Sequence, residues 1–268
     1  MTDEPNKPLP PEIPAPAPPS HPRPEPGPPA GYEAMEGGFA PANILNKLLR
    51  KPLSLIHTLE TSDEGAKLPV RLLLIAVASL AIFGLVVGSF SAGTQLWAAP
   101  LKIIGGFLFS ALICLPSLYI FTCLGGLDAK FRTVGGLLCC MVALTSLLLV
   151  GFAPVVWLFS VSSNSIGFMG FLLVALWILC AGFGLTLVFR AGRTLGMQGS
   201  GHLVIWCFVF LLVTLQMPTT LRPVIGKSDQ FLNLEEKRFF LQYWSEQITG
   251  EIDRAPVKEG TDGDELYD

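Results

Sequence analysis

The sequence predicts an all-α protein, a polytopic bundle of transmembrane helices. Its main indication is that four long stretches, residues 72–101, 103–127, 133–189 and 194–221, contain no Lys, Arg, Asp or Glu. At about 1.5 Å of helix per residue, each stretch is long enough to cross the roughly 30 Å hydrocarbon core of a bilayer. The composition agrees, because 51% of the residues are hydrophobic and only 15% are charged.

The number of spans follows from the lengths of these stretches. A helix over residues 133–189 would be about 85 Å long, so this stretch must turn back once. The polar-rich residues 160–165 mark the turn. The sequence therefore predicts a domain over residues 69–218 with five spans, at 69–90, 100–126, 134–159, 166–189 and 201–217.

Prolines help to place the span boundaries. Pro69 and Pro100 are expected in the first turn of the first and second spans, where a missing amide donor costs nothing. Pro116 should bend the second span, because it removes one helix hydrogen bond. Pro218 is expected to end or kink the fifth span.

Basic residues in the short loops predict the orientation. Six of them fall on one side of the five-span arrangement: Lys67, Arg71, Lys130, Arg132, Arg190 and Arg193. Lys102, Arg222 and Lys227 fall on the other side. The positive-inside rule then predicts a cytoplasmic N-terminus and a C-terminus outside. Trp97 and Trp157 are expected at the outer boundary.

Residues 1–41 are expected to form a disordered cytoplasmic tail. They contain 14 prolines, whose spacing favours an extended polyproline helix and prevents a packed core. Such a tail is either a plain spacer or a docking strip for a proline-binding module of a protein partner.

Residues 42–68 are predicted to form an amphipathic segment beside the membrane. Leucines and isoleucines recur there at helical spacing, and Pro52 divides the segment into two pieces. Lys47, Arg50 and Lys51 lie close to the first apolar piece. Its apolar face rests either on the bilayer, with these cations meeting anionic lipid, or on the cytoplasmic loops.

Residues 219–250 are predicted to contain a second amphipathic helix, rich in aromatic residues and placed outside the membrane. Asn233 and Glu236 fit a capping box at its start. Phe240, Trp244 and Ile248 are candidate contacts with a partner or with the membrane surface. Residues 251–268 are expected to be an acidic disordered tail.

Small residues in the first span suggest close helix packing. Gly84 and Gly88 form a Gly-x-x-x-Gly motif, which lets helix backbones approach one another. Two interpretations remain open, packing within this bundle and formation of a homo-oligomer.

No sequence motif indicates chemistry. Nucleophile elbows, zinc-protease helices, phosphate-binding loops and dinucleotide fingerprints are all missing, so we expect no enzyme, no cofactor and no metal site. The six cysteines lie within spans as packing residues, and no nucleic-acid partner is expected. We expect no ionisable residue in the membrane interior, where only His202 comes close and sits near one end, so ion-coupled transport is disfavoured.

The segment Leu-Leu-Arg-Lys-Pro at 48–52, together with Phe-Arg-Thr-Val-Gly-Gly at 131–136 and Gly-Phe-Ala-Pro-Val-Val-Trp-Leu at 151–158, resembles bacterial Yip1-domain-type membrane proteins. The resemblance covers roughly residues 44–222. It implies a non-catalytic membrane scaffold that organises partners or lipids, in a bacterial inner membrane. The alternative function is a permease or channel component for a neutral or lipidic substrate.

Overall fold

The computed structural model describes residues 40–61, 67–89, 95–127, 130–163, 166–197, 199 and 201–220. Within these ranges the chain forms helices and turns, which confirms the predicted all-α class. The helices are α1 (Pro41–Arg50), α2 (Pro52–Thr61), α3 (Leu68–Ser89), α4 (Gln95–Leu124), α5 (Phe131–Ser162), α6 (Ile166–Thr194) and α7 (Gly201–Thr220).

Four of the described helices, α3 to α6, are long and apolar enough to cross a bilayer. The protein is therefore a multi-pass membrane protein. The predicted count of five spans is wrong for the described residues, in which α7 contributes only a shorter apolar stretch, from Gly201 to Gln216. The predicted placement of the C-terminus outside depended on a fifth crossing and loses that support.

Helix α5 lies at the centre of the bundle. It packs against α3 on one side and α6 on the other, and it is the most deeply buried of the four long helices. Helix α4 packs mainly on α3, and α7 packs mainly on α4. The helices thus follow the spatial order α7, α4, α3, α5, α6. Long helices that follow one another in the chain run antiparallel, so the neighbours α3 and α5 are parallel.

Helix α4 begins earlier than the sequence predicts. Pro100 is its sixth residue and is not in its first turn, so the helix loses one hydrogen bond to the carbonyl of Leu96. Pro100 is buried where α3 crosses α4. A Cβ atom added to Gly84 would lie 3.0 Å from the nitrogen and the Cβ of Pro100 and closer still to its Cα. The small residue in α3 therefore accommodates the proline in α4.

The outer surface of the bundle is apolar, as lipid contact requires. On α6 and α7 its large exposed side chains include Phe171, Ile178, Phe183, Val204, Ile205 and Phe208. Trp97 near the start of α4 and Trp157 near the end of α5 are also exposed, and both lie at the same end of the bundle. Their position suits the aromatic belt of a membrane interface.

Candidate functional site

One end of the bundle carries nine of the ten lysines and arginines that the structure describes. At this end α3 and α5 begin and α4 and α6 finish, and we call it the basic end. Its cations are Lys47, Arg50, Lys51, Lys67, Arg71, Lys130, Arg132, Arg190 and Arg193. Glu60 is the one acidic residue among the described positions. The described part of this end therefore has a strong excess of positive charge.

Two glycine turns shape the basic end. Helices α4 and α6 each finish at a glycine with positive φ, 83° at Gly126 and 96° at Gly196. In both turns the next residue donates its amide to the carbonyl five positions earlier, at 3.1 and 2.9 Å, which is a Schellman cap. The amide of Gly199 donates to the carbonyl of Gly125 at 3.4 Å. This bond ties the α6–α7 turn to the α4–α5 turn and so fixes the basic residues beside them.

Helices α1 and α2 form a cap on the bundle. Helix α2 packs on α5 and α6, while α1 packs on α2, α3 and α5. Leu59 lies against Gly136 near the start of α5, where an added Cβ would be 2.7 Å from Leu59 Cδ1. The apolar side chains that the cap buries are Ile44, Leu48, Leu55, Ile56 and Leu59. The sequence left open whether the apolar face of this segment rests on the bilayer or on the protein. In the structure one apolar face packs on the protein.

The remaining surface of α1 combines cations with apolar side chains. Lys47 is partly exposed, and Arg50 and Lys51 are exposed beside it. Leu49 is 52% exposed although it is apolar, and Leu45 one turn earlier is only half-buried. The predicted contact residues Lys47, Arg50 and Lys51 therefore face away from the buried contacts of the cap.

Buried hydroxyl groups inside the bundle bond mostly to their own helices. Ser110 donates to the carbonyl of Gly106 at 2.7 Å, and Ser146 donates to that of Ala143 at 2.9 Å. Thr214 donates to the carbonyl of Phe210 in the same way. Such bonds satisfy a polar group without linking helices. These hydroxyls therefore fill the interior and do not join into a polar path.

Trp206 is the exception, because it links α7 to α4. Its indole Nε1 donates to both the carbonyl of Cys114 and the Oγ of Ser117, each at 3.1 Å. The ring is fully buried and stacks on Phe210, whose ring meets Phe107 of α4 edge-on. These contacts seat α7 along α4. Sequence reasoning missed this role, although an indole in the middle of an apolar helix signals a need for a hydrogen-bond acceptor.

Thr145 carries a buried hydroxyl without a hydrogen-bond partner in the described structure. It lies where α5 crosses α6, directly against Gly184. A Cβ atom added to Gly184 would meet the Thr145 hydroxyl and would lie 3.1 Å from Met141 Cγ. Close approach of the two helices therefore depends on glycine at this position.

Lys102 is the one described cation away from the basic end. The predicted second span, 100–126, begins two residues before it on the outer side, whereas the structure puts it seven residues into α4 with only 5% of the residue exposed. The expectation that no ionisable residue other than His202 lies within the apolar helices is therefore wrong at this position. A buried lysine is costly in a membrane and needs compensating contacts.

The structure places the other predicted contact residues unequally. Gly84 and Gly88 are both buried in α3, and Gly84 faces Pro100 of the same chain. This geometry corresponds to packing within one bundle. Phe240, Trp244 and Ile248 lie outside the described residues, as do the Pro-rich tail and the acidic tail.

In the part of the chain that the structure describes, no group of three His, Cys, Asp or Glu side chains is placed to hold a metal ion. All six cysteines are free thiols in α4 to α7, four of them buried. No protein-family model matches the chain, and no match was found among curated proteins or among solved structures. The likeness to Yip1-domain-type proteins therefore stays a prediction.

Proposed function

We propose that this protein is a non-catalytic membrane scaffold that organises partner proteins or lipids. The observation that carries the proposal is the cap of α1 and α2 on the basic end. It is a structured, cationic surface outside the long apolar helices, and its own apolar side chains anchor it to α3, α5 and α6. A rigid platform of this kind suits the binding of neighbours.

The packing inside the bundle supports a scaffold over a transporter. The central helix α5 buries Leu137, Met141 and Leu149 among its neighbours, and most buried hydroxyls are tied to their own helices. Close packing of these side chains favours a scaffold over a route for a neutral or lipidic substrate through the described helices. The permease alternative makes a direct prediction, namely solute or lipid flux in liposomes that contain the purified protein.

We further propose that the basic end faces the cytoplasm of a bacterial cell. The positive-inside rule supports this orientation, because cytoplasmic loops carry an excess of Lys and Arg. The N-terminal tail then lies on the cytoplasmic side with the cap. Partners reach the protein through the cap, through the Pro-rich tail or through the C-terminal segment that contains Phe240 and Trp244.

Photo-crosslinking in cells tests the scaffold role. A photoreactive amino acid at Arg50 samples neighbours of the cap, and one at Val161 samples the opposite end, where the side chain is 70% exposed. We expect reproducible neighbours at Arg50 that are absent at Val161. Deletion of residues 1–39 then separates recruitment by the Pro-rich tail from recruitment by the cap.

Two results would overturn the proposal. One is the failure to recover any reproducible neighbour at Arg50 or through either tail by crosslinking mass spectrometry. The other is flux well above that of empty vesicles when the purified protein is reconstituted alone. The second result would establish the permease alternative.

A further inference from the structure

We propose that α1 and the neighbouring part of the basic end bind the headgroups of anionic phospholipids. The inference deepens the proposed scaffold role and rests on it for one point, that the cap is a contact surface. Neighbour capture and headgroup binding have separate readouts, so either can fail while the other stands.

Helix α1 carries apolar side chains on two sides. Successive residues of a helix are 100° apart, so Leu45 and Leu49 share one flank and lie about 100° from the buried pair Ile44 and Leu48. The buried pair has no exposed surface, whereas Leu49 is 52% exposed. Helix α1 thus buries one apolar face in the protein and presents a second apolar flank outward. Such a flank at the end of a membrane bundle is suited to the acyl-chain boundary.

The other flank of α1 is positively charged. Lys47 and Arg50 lie on the side opposite to Leu45 and Leu49, and Lys51 caps the helix. None of these three cations faces an acidic side chain on α1 itself, which has no Asp or Glu. Leu49 and Arg50 are 100° apart, so the exposed surface of α1 carries apolar side chains on one side and cations on the other. Interfacial helices that bind anionic lipid combine these two features.

The surface of the basic end fits a lipid better than it fits an acidic protein. The described cations of the basic end belong to α1, to the starts of α3 and α5 and to the end of α6. In α3, partly exposed Arg71 lies next to Val70 and one turn before Leu74, whose side chains are 61% and 65% exposed. A lipid meets both features at once, since its phosphate binds the cation and its acyl chains cover the apolar side chains below. An acidic protein surface would leave the apolar residues uncovered.

Titration with short-chain phosphatidylglycerol tests the proposal on the full chain in detergent. The apparent dissociation constant is measured from the lipid-dependent rise in unfolding temperature, with short-chain phosphatidylcholine as the neutral comparison. We expect phosphatidylglycerol to stabilise the protein and phosphatidylcholine to have little effect. Each cation near a membrane surface contributes about fivefold in affinity, equivalent to about 1 kcal/mol, so K47Q/R50Q/K51Q should weaken binding by roughly a hundredfold.

Three controls make the outcome decisive. R50K keeps the charge and should bind like the wild type, and raising the salt concentration should weaken binding of the wild type without any substitution. Hydrogen exchange over residues 41–50 should slow in nanodiscs that contain phosphatidylglycerol compared with phosphatidylcholine. Inorganic phosphate should not reproduce this slowing, because it has no acyl chains to cover Leu45 and Leu49.

Equal effects of the two lipids would overturn the proposal, and so would unchanged phosphatidylglycerol binding by the triple variant. Slowing of exchange by inorganic phosphate alone would show a simple anion site instead. Protection of α1 in native membranes, without protection in nanodiscs of either lipid, would point to an acidic protein partner and would also contradict the proposal.

Discussion

Gly184 determines how closely α5 and α6 approach at the level of Thr145. The added methyl group of an alanine would collide with the Thr145 hydroxyl and crowd Met141. We expect Gly184→Ala to destabilise the protein by about 1–3 kcal/mol, the usual cost of overpacking a well-packed interface. The unfolding temperature in detergent measures this loss.

Gly182 provides a matched control on the same helix. A Cβ atom added there meets nothing within 4 Å. Gly182→Ala should therefore leave the unfolding temperature unchanged or raise it slightly, because alanine favours the helix over glycine. An equal loss in both variants would show that the effect comes from the backbone and not from the α5–α6 contact.

Individual side chains were the part of the structure least open to prediction from sequence. Charge gaps locate apolar stretches, but they cannot say whether a charge at the edge of a gap lies in a loop or in a helix. The charge gaps place Lys102 at the outer edge of the second span for this reason, whereas helix α4 begins seven residues before it. Trp206 and Thr145 were missed because their roles depend on which residues face them across an interface, and one sequence alone does not contain that information.

The crossing of α3 and α4 depends on Gly84, and a substitution tests whether the motif acts within one chain. Gly84→Ala would push a methyl group into the backbone of Pro100, which cannot move aside as a flexible side chain would. We expect a loss of about 1–3 kcal/mol in stability with no change in oligomeric mass. The measurements are the unfolding temperature and light scattering after size-exclusion chromatography.

Gly105→Ala is the control for this crossing, because an added Cβ at that position in α4 meets nothing within 4 Å. It should be nearly neutral. If Gly84→Ala keeps the wild-type unfolding temperature but lowers the oligomeric mass, the motif joins separate copies and the interpretation within one bundle is wrong.

The seating of α7 on α4 is tested by Trp206→Phe. Phenylalanine keeps an aromatic ring beside Phe210 but cannot donate to the carbonyl of Cys114 or to Ser117. Interhelical hydrogen bonds in membranes contribute about 0.6 kcal/mol on average, so we expect a small loss of stability and faster hydrogen exchange confined to α7. Ser117→Ala leaves the carbonyl acceptor in place and should have a smaller effect. Faster exchange throughout the bundle would contradict a local role.

Helix positions followed from the sequence more readily than helix ends. Apolar length and turn residues are local properties, so they indicate a span without knowledge of its neighbours. Helix ends depend on capping and on contacts. Helix α6 continues through Arg190 and Arg193 to a glycine cap, whereas a span defined by its charge gap stops at residue 189.

At the scale of the whole molecule, the bundle is asymmetric along its axis. Nine described cations lie at the basic end, while exposed Trp97 and Trp157 lie at the other. Only the first feature predicts orientation, because cytoplasmic loops carry an excess of Lys and Arg, whereas aromatic rings favour both interfaces. The cations are therefore the basis of our proposal that the basic end faces the cytoplasm.

Reporter fusions test this orientation. Alkaline phosphatase is active only outside the cytoplasm, so a fusion after Ser163, in the turn away from the basic end, should be active. Fusions after Leu127 and Gly196, in the turns of the basic end, should be inactive, and green fluorescent protein should give the reverse pattern. Comparable amounts of each fusion protein must be present for the comparison to hold. Phosphatase activity after Gly196 that equals the activity after Ser163 would mean that α6 does not cross the membrane, and activity only after Leu127 and Gly196 would invert the protein and place the cap outside the cell.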